Sequence, residues 1–176
     1  MPMTQQEART KTDREKSCRD FVQGFYDWYL SPVKKDREHP EGELGMGDAI
    51  SFRRGDMSAE LYSLLKADHD AQAHANAIVG LDFDPFTNSQ DNSPKFEVKS
   101  AVVQNDDCRA VVWGMDAGTH RETVEPEATE KNSAWNFVNF HYRDGSKGGS
   151  TLQDSDLIEI LKENALDRQR ERKMKR

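Results

Sequence analysis

The feature that most limits the fold of this chain is a change of hydrophobic period near residue 95. Before it, apolar side chains recur at helical spacing. Phe21, Phe25 and Trp28 stand at i, i+4 and i+7 with Val22, Tyr26 and Tyr29 beside them, an aromatic stripe that Leu30 ends before Ser31-Pro32. A second stripe, Leu61, Leu64, Leu65 and Ala71, follows Asp56 or Ser58 as N-cap. Beyond residue 95 the period becomes two. Phe96, Val98, Ser100 and Val102 alternate with Glu97, Lys99, Ala101 and Val103, and Asn105-Asp106-Asp107 turns the chain into Ala110–Trp113, which predicts an antiparallel hairpin. Ala117-Gly118 turns it again, into a weak, exposed strand over Thr119–Val124.

A polar link containing Pro126 then leads to Ala134–Tyr142, whose large side chains on both faces predict a central strand covered on both sides. A closing helix starts near Asp154 or Ser155 and carries Leu157, Ile158, Leu161 and Ala165, with basic residues at its C-terminal end. Two helices, a run of about four antiparallel strands and one last helix make an α+β order. The organisation predicted is a polar N-terminal arm over 1–17, as a frayed helix or a disordered segment, one domain over 18–167 and a basic C-terminal tail over 168–176. Within the domain, Pro32, Pro40 and the glycines at 42, 45 and 47 make 31–55 a loop, and it lacks the Gly-Lys-Ser/Thr of a phosphate loop.

Charge narrows the partners. The segment from Arg168 to Arg176 sets six basic residues against Glu171, and this local +5 leaves −12 on the rest of a chain whose total is −7. An acidic body repels phosphate backbones, so no nucleic-acid partner is expected outside that tail. No apolar run reaches the roughly 20 residues of a membrane span. The polar start has no signal-peptide core, so the expectation is a cytoplasmic protein, or a periplasmic or cell-envelope one from which a signal was removed. Cys18 and Cys108 lie in no zinc spacing; they could form one disulfide or stay buried as thiols, and the reading leans to separate thiols.

Candidate sites gather around Leu81–Asp91, which sets Asp82, Asp84 and Asp91 with Phe83 and Phe86 about Pro85. Three loop carboxylates suit a hard cation, but Phe86, Thr87 and Ser93 stand where a calcium loop wants a ligand, a glycine and a glutamate. The favoured reading is a structural loop: Pro85 fixes φ, the aspartates bond nearby amides and the two rings plug the core. Phe25, Trp28, Tyr29, Trp135 and Tyr142 could line an apolar ligand pocket, although rings at helical spacing are more often core. His141 could act as a general base oriented by Asp82 or Asp84. His69 and His74 do not share a helix face, and His39 and His120 carry no signal. No GxSxG, HExxH, P-loop or dinucleotide fingerprint occurs, Cys108 is a weak nucleophile candidate, and no cofactor is expected.

Three segments, Phe21–Leu30, Leu81–Asp91 and Trp135–Tyr142, together resemble the bacterial family catalogued as domain of unknown function 3828, over about residues 18–165. The resemblance implies a cystatin-like or nuclear-transport-factor-2-like cone, in which helices pack into a curved antiparallel sheet, often in proteins of the bacterial envelope. It supplies no activity. The functional expectation is therefore a non-enzymatic binding domain holding a small ligand or a protein partner in a cone pocket or on the sheet face. The alternatives are a small hydrolase or isomerase using His141 with an aspartate, and an immunity-type protein whose acidic body masks a basic toxin.

Overall fold

The computed structural model describes residues 10–31, 45–143 and 155–174. Helix α1, Lys11–Tyr29, starts well inside the stretch expected to be an arm. Local chemistry is enough to start it: the Thr10 hydroxyl accepts from the Asp13 N–H at 3.1 Å, and the Asp13 carboxylate accepts from the Thr10 N–H at 3.3 Å. Its buried side is Cys18, Val22, Phe25, Tyr26 and Tyr29. Helix α2, Met46–Phe52, corrects the expectation of loop throughout 31–55. The Asp48 carboxylate accepts from the Gly45 N–H at 2.9 Å, and this cap offsets the glycines that hid the helix. One 3₁₀ turn, Arg54–Asp56, precedes α3, Ala59–Ala73, which the Ser58 hydroxyl caps by accepting from the Leu61 N–H.

Five strands follow as an antiparallel meander: β1 Lys95–Gln104, β2 Asp107–Asp116, β3 Thr119–Lys131, β4 Ala134–Tyr142 and the short β5 Ser155–Asp156, paired in chain order into a curved, unclosed sheet. Helix α4, Leu157–Met174, closes the chain. The α+β expectation holds, with two corrections inside the sheet. Pro126 lies within β3 rather than in a link. It stands opposite Phe140 beside the bulge between Glu127 and Ala128, where a residue without an N–H is tolerated. And β4 is not central: only the two-residue β5 lies beyond it, and its large residues Trp135, Phe137, Phe140 and Tyr142 all belong to the buried side. Asn136, Asn139 and His141 between them stay half-exposed.

The core lies on one side of this sheet. Cys108, Ala110 and Val112 of β2, Val124 and Ala128 of β3 and the β4 rings meet α1, α3 and α4 there. Cys18 and Cys108, both fully buried, form a disulfide that joins α1 to β2 across 90 residues of sequence. The leaning toward separate thiols is thereby corrected. Their Cα atoms are 6.6 Å apart, within the range a disulfide spans, and only the packing of α1 on the sheet brings them there.

Candidate functional site

The interior is filled. Phe25 meets Phe86 at 5.2 Å and Phe137 at 5.1 Å between ring centroids, Phe86 meets Phe140 at 5.2 Å, and Tyr26 stacks on Phe96 at 5.4 Å. Of the rings expected at a pocket mouth, Phe25, Tyr29, Trp135 and Tyr142 are buried in this core, and Trp28 is half-buried under the Arg53 guanidinium. None lines the open groove between α3 and α4 or the one beside the 81–92 loop.

That loop is held from inside by three tyrosines. Tyr26 donates to the Phe86 carbonyl at 2.7 Å, Tyr142 to the Pro85 carbonyl at 2.7 Å and Tyr29 to Asp84 Oδ2 at 2.7 Å. Burial and the neighbouring Asp84 charge push all three phenols well above their ordinary range, so they stay protonated donors. Asp84 Oδ1 accepts from the Phe86 N–H at 2.9 Å, an Asx turn that aims Phe86 into the core, and Asn92 adds a weaker bond to Oδ2. Asp82 and Asp91 are exposed, and among the described residues no group of three ligand-type side chains converges on one point.

Asp84 also gives the protein a pH dependence. Burial raises its pKa despite the hydrogen bonds from Tyr29, Phe86 and Asn92 that pull it down. A carboxyl raised in the folded state favours folding while protonated. Its contribution is full below the unfolded value of about 3.9 and is lost as pH rises through the native value. The stability of the wild type relative to Asp84→Asn should therefore fall across that window and then level off. Urea midpoints of both proteins over an acidic-to-neutral series would show it, and a difference that rises with pH would refute it.

His141 points to the other side of the sheet, so the structure does not bring it together with Asp84. Register puts it opposite Glu125, and its Nε2 lies 2.6 Å from Glu127 Oε2 and 2.8 Å from Arg109 Nη2. Arg109 also reaches Glu127 at 3.3 Å and Glu125 at 4.0 Å, while Arg143 donates to Glu125 at 2.7 Å. Glu125 is thus 3% exposed on an otherwise open face, under the two arginines. Farther along the same face, Trp113 stacks on His120 at 4.3 Å with the Lys99 ammonium 5.2 Å from its ring. Arg109, Trp113, Glu125, Glu127 and Arg143 escaped sequence reasoning. Their signal is the outward alternation of β2 and β3, which becomes visible only once Pro126 is accepted inside a strand.

Neither a family model nor a curated protein matches the chain. Among solved structures, the chain is similar to one chain in each of two crystal structures of the type VI effector–immunity complex Tae3–Tai3 from Ralstonia pickettii. For the native form the TM-score is 0.46 at 16% identity, covering 72% of this chain and 95% of that one. For the selenomethionine form it is 0.48 at 14% identity, covering 74% and 99%. At these values the likeness transfers neither a fold nor an activity.

Proposed function

We propose that this is a non-enzymatic interaction domain whose outer sheet face meets a protein partner. The observation that carries the reading is the network of Arg109, Glu127, His141 and Arg143 around the buried Glu125, beside Trp113, on a face that lies opposite the core. The other modes have less to offer. The core is packed ring against ring, and neither of the two grooves described above is lined by its buried rings. Strand addition is blocked at both edges. Side chains of α1 occupy that of β1, and on β4 the Phe137 carbonyl accepts from the Ser58 N–H while β5 pairs with His141 and Tyr142. An arginine and a tryptophan at the centre of an open face are the residue types that dominate protein interfaces.

The −12 on residues 1–167 favours a basic partner, and a toxin neutralised by an immunity-type protein is the specific form of that reading. The disulfide supports an oxidising compartment, hence the periplasm or cell envelope, and kinship with domain of unknown function 3828 is proposed on the helix–meander–helix order. Capture from the native host with the disulfide intact tests the surface. Trp113→Ala and Arg109→Lys, which keeps a positive charge over Glu125 and Glu127, should each weaken the captured complex, by about 30-fold or more for Trp113→Ala, while leaving the unfolding midpoint within the range of surface changes. Undiminished capture by both variants would sink the proposal.

The hydrolase reading retains one favourable observation, the 2.6 Å His141–Glu127 contact, with Glu127 in place of the expected aspartate. Turnover by the wild type that is lost in a folded His141→Ala variant would establish it instead.

A further inference from the structure

The edge strand β1 is covered along its length by polar side chains of α1. Gln23 behaves like a short piece of strand: its Oε1 accepts from the Val98 N–H at 2.9 Å and its Nε2 donates to the Phe96 carbonyl at 3.0 Å. Arg19 donates to the Val98 and Lys99 carbonyls at 3.4 and 3.1 Å, and Glu15 Oε1 accepts from the Val103 N–H at 3.3 Å. These are edge-facing backbone groups, which in an open sheet would pair with another chain. The stretch Ser100-Ala101-Val102-Val103 contains neither charge nor proline, and Val102 is 55% exposed. Its protection against pairing therefore comes from α1.

The two halves of α1 are held differently. Its C-terminal half buries Val22, Phe25, Tyr26 and Tyr29 in the core. Over Lys11–Asp20 the single buried residue is Cys18. The other ties of that half to the sheet are polar: Arg14 to Glu130 at 2.7 Å and to the Asn105 carbonyl at 2.7 Å, and the Trp135 indole N–H to Ser17 at 3.1 Å. The Cys18–Cys108 bond is thus the anchor that keeps Glu15 and Arg19 over the strand edge.

We propose that the N-terminal half of α1 is a disulfide-held guard over a self-association edge. Once the bond is reduced, Ser100–Val103 pairs antiparallel with the same strand of a second copy. The step needs a dithiol reductant: it supplies two electrons and two protons, the S–S bond breaks to two thiols, and the dithiol closes to its own disulfide. A second copy is the occupant because an antiparallel strand edge is self-complementary about a two-fold axis, and the freed segment carries no charge to oppose its own image.

The test uses the full chain, oxidised and after reduction by dithiothreitol, followed by amide hydrogen exchange and sedimentation velocity. Reduction should speed exchange at Val103 by about tenfold or more in the dilute monomer, leave β2 and β3 protected, and produce a concentration-dependent dimer in which Val103 is protected again. Glu15→Ala with Arg19→Ala should speed the same amide with the disulfide intact, so the guard is tested even where reduction unfolds the chain. Val102→Lys in the reduced protein should abolish the dimer by placing like charges across the pair. A reduced monomer with Val103 still protected would overturn the proposal, as would equal loss of protection in every strand or growth of aggregates without a dimer.

Discussion

Replacing Cys18 and Cys108 together by alanine should lower the free energy of unfolding by about 3–5 kcal/mol, the chain-entropy value for a loop of this length. The bond spans 90 residues, so the denatured chain loses a large closed loop when it is removed. Loss of packing alone, at two small buried side chains, would cost far less. The melting temperature should fall by about 10 °C in a domain of this size, and denaturation in urea should show a changed slope as well as a lower midpoint, because the unfolded ensemble expands. Domains of ordinary stability hold about 5–15 kcal/mol, so the variant should still fold. That margin separates the global effect of the disulfide from its local effect on α1. Wild type and variant with the same unfolding free energy would show that no bond forms in solution.

What the sequence revealed of the fold depended on whether a signal was local. The α1 stripe was legible because seven aromatic or aliphatic residues recur on one side of Phe21–Leu30. Packing then selects Val22, Phe25, Tyr26 and Tyr29 as the buried face and leaves Phe21 and Trp28 at its margin. The first hairpin was legible from its turn and from the alternation over Phe96–Val98, but the bulge between Val98 and Ser100 inverts the faces beyond it, so Val103 rather than Val102 is buried. In the rest of the sheet bulges likewise interrupt the period: pairing shifts between Gly114 and Met115 and between Glu127 and Ala128. The last of these, with Pro126 beside it, hid half of β3 and with it the carboxylates that face His141. Asp84 was legible as a rigidifying residue, since an Asx turn is a property of neighbouring residues. The partners of His141 and the union of Cys18 with Cys108 are properties of register and of helix docking, which no short window of sequence contains.

Truncating Arg168 should cost about 3–5 kcal/mol, the loss expected when a buried charge is left without its partner. Arg168 was expected to open a solvated basic tail; the structure places it within α4, 2.7 Å from Asp68 Oδ1, with side chains 14% and 1% exposed. The Asp68 carboxylate is otherwise bonded by the Leu81 N–H at 2.9 Å and weakly by Asn164 at 3.4 Å, and Arg168 also donates to the Val79 carbonyl at 3.2 Å. One ion pair thus joins α3, the start of the 81–92 loop and α4. Gly80 belongs to the same arrangement, because a Cβ there would lie 2.3 Å from Asp68 Oδ2. Arg168→Met keeps the apolar stem and removes the charge, so it isolates the electrostatic loss. Asp68→Leu with Arg168→Met should recover part of the stability, since two apolar groups leave no buried charge unpaired. Urea unfolding of both single variants and the double closes the cycle: a double variant well short of the summed losses is the expected result, and simple additivity would show that the pair does not couple α4 to α3.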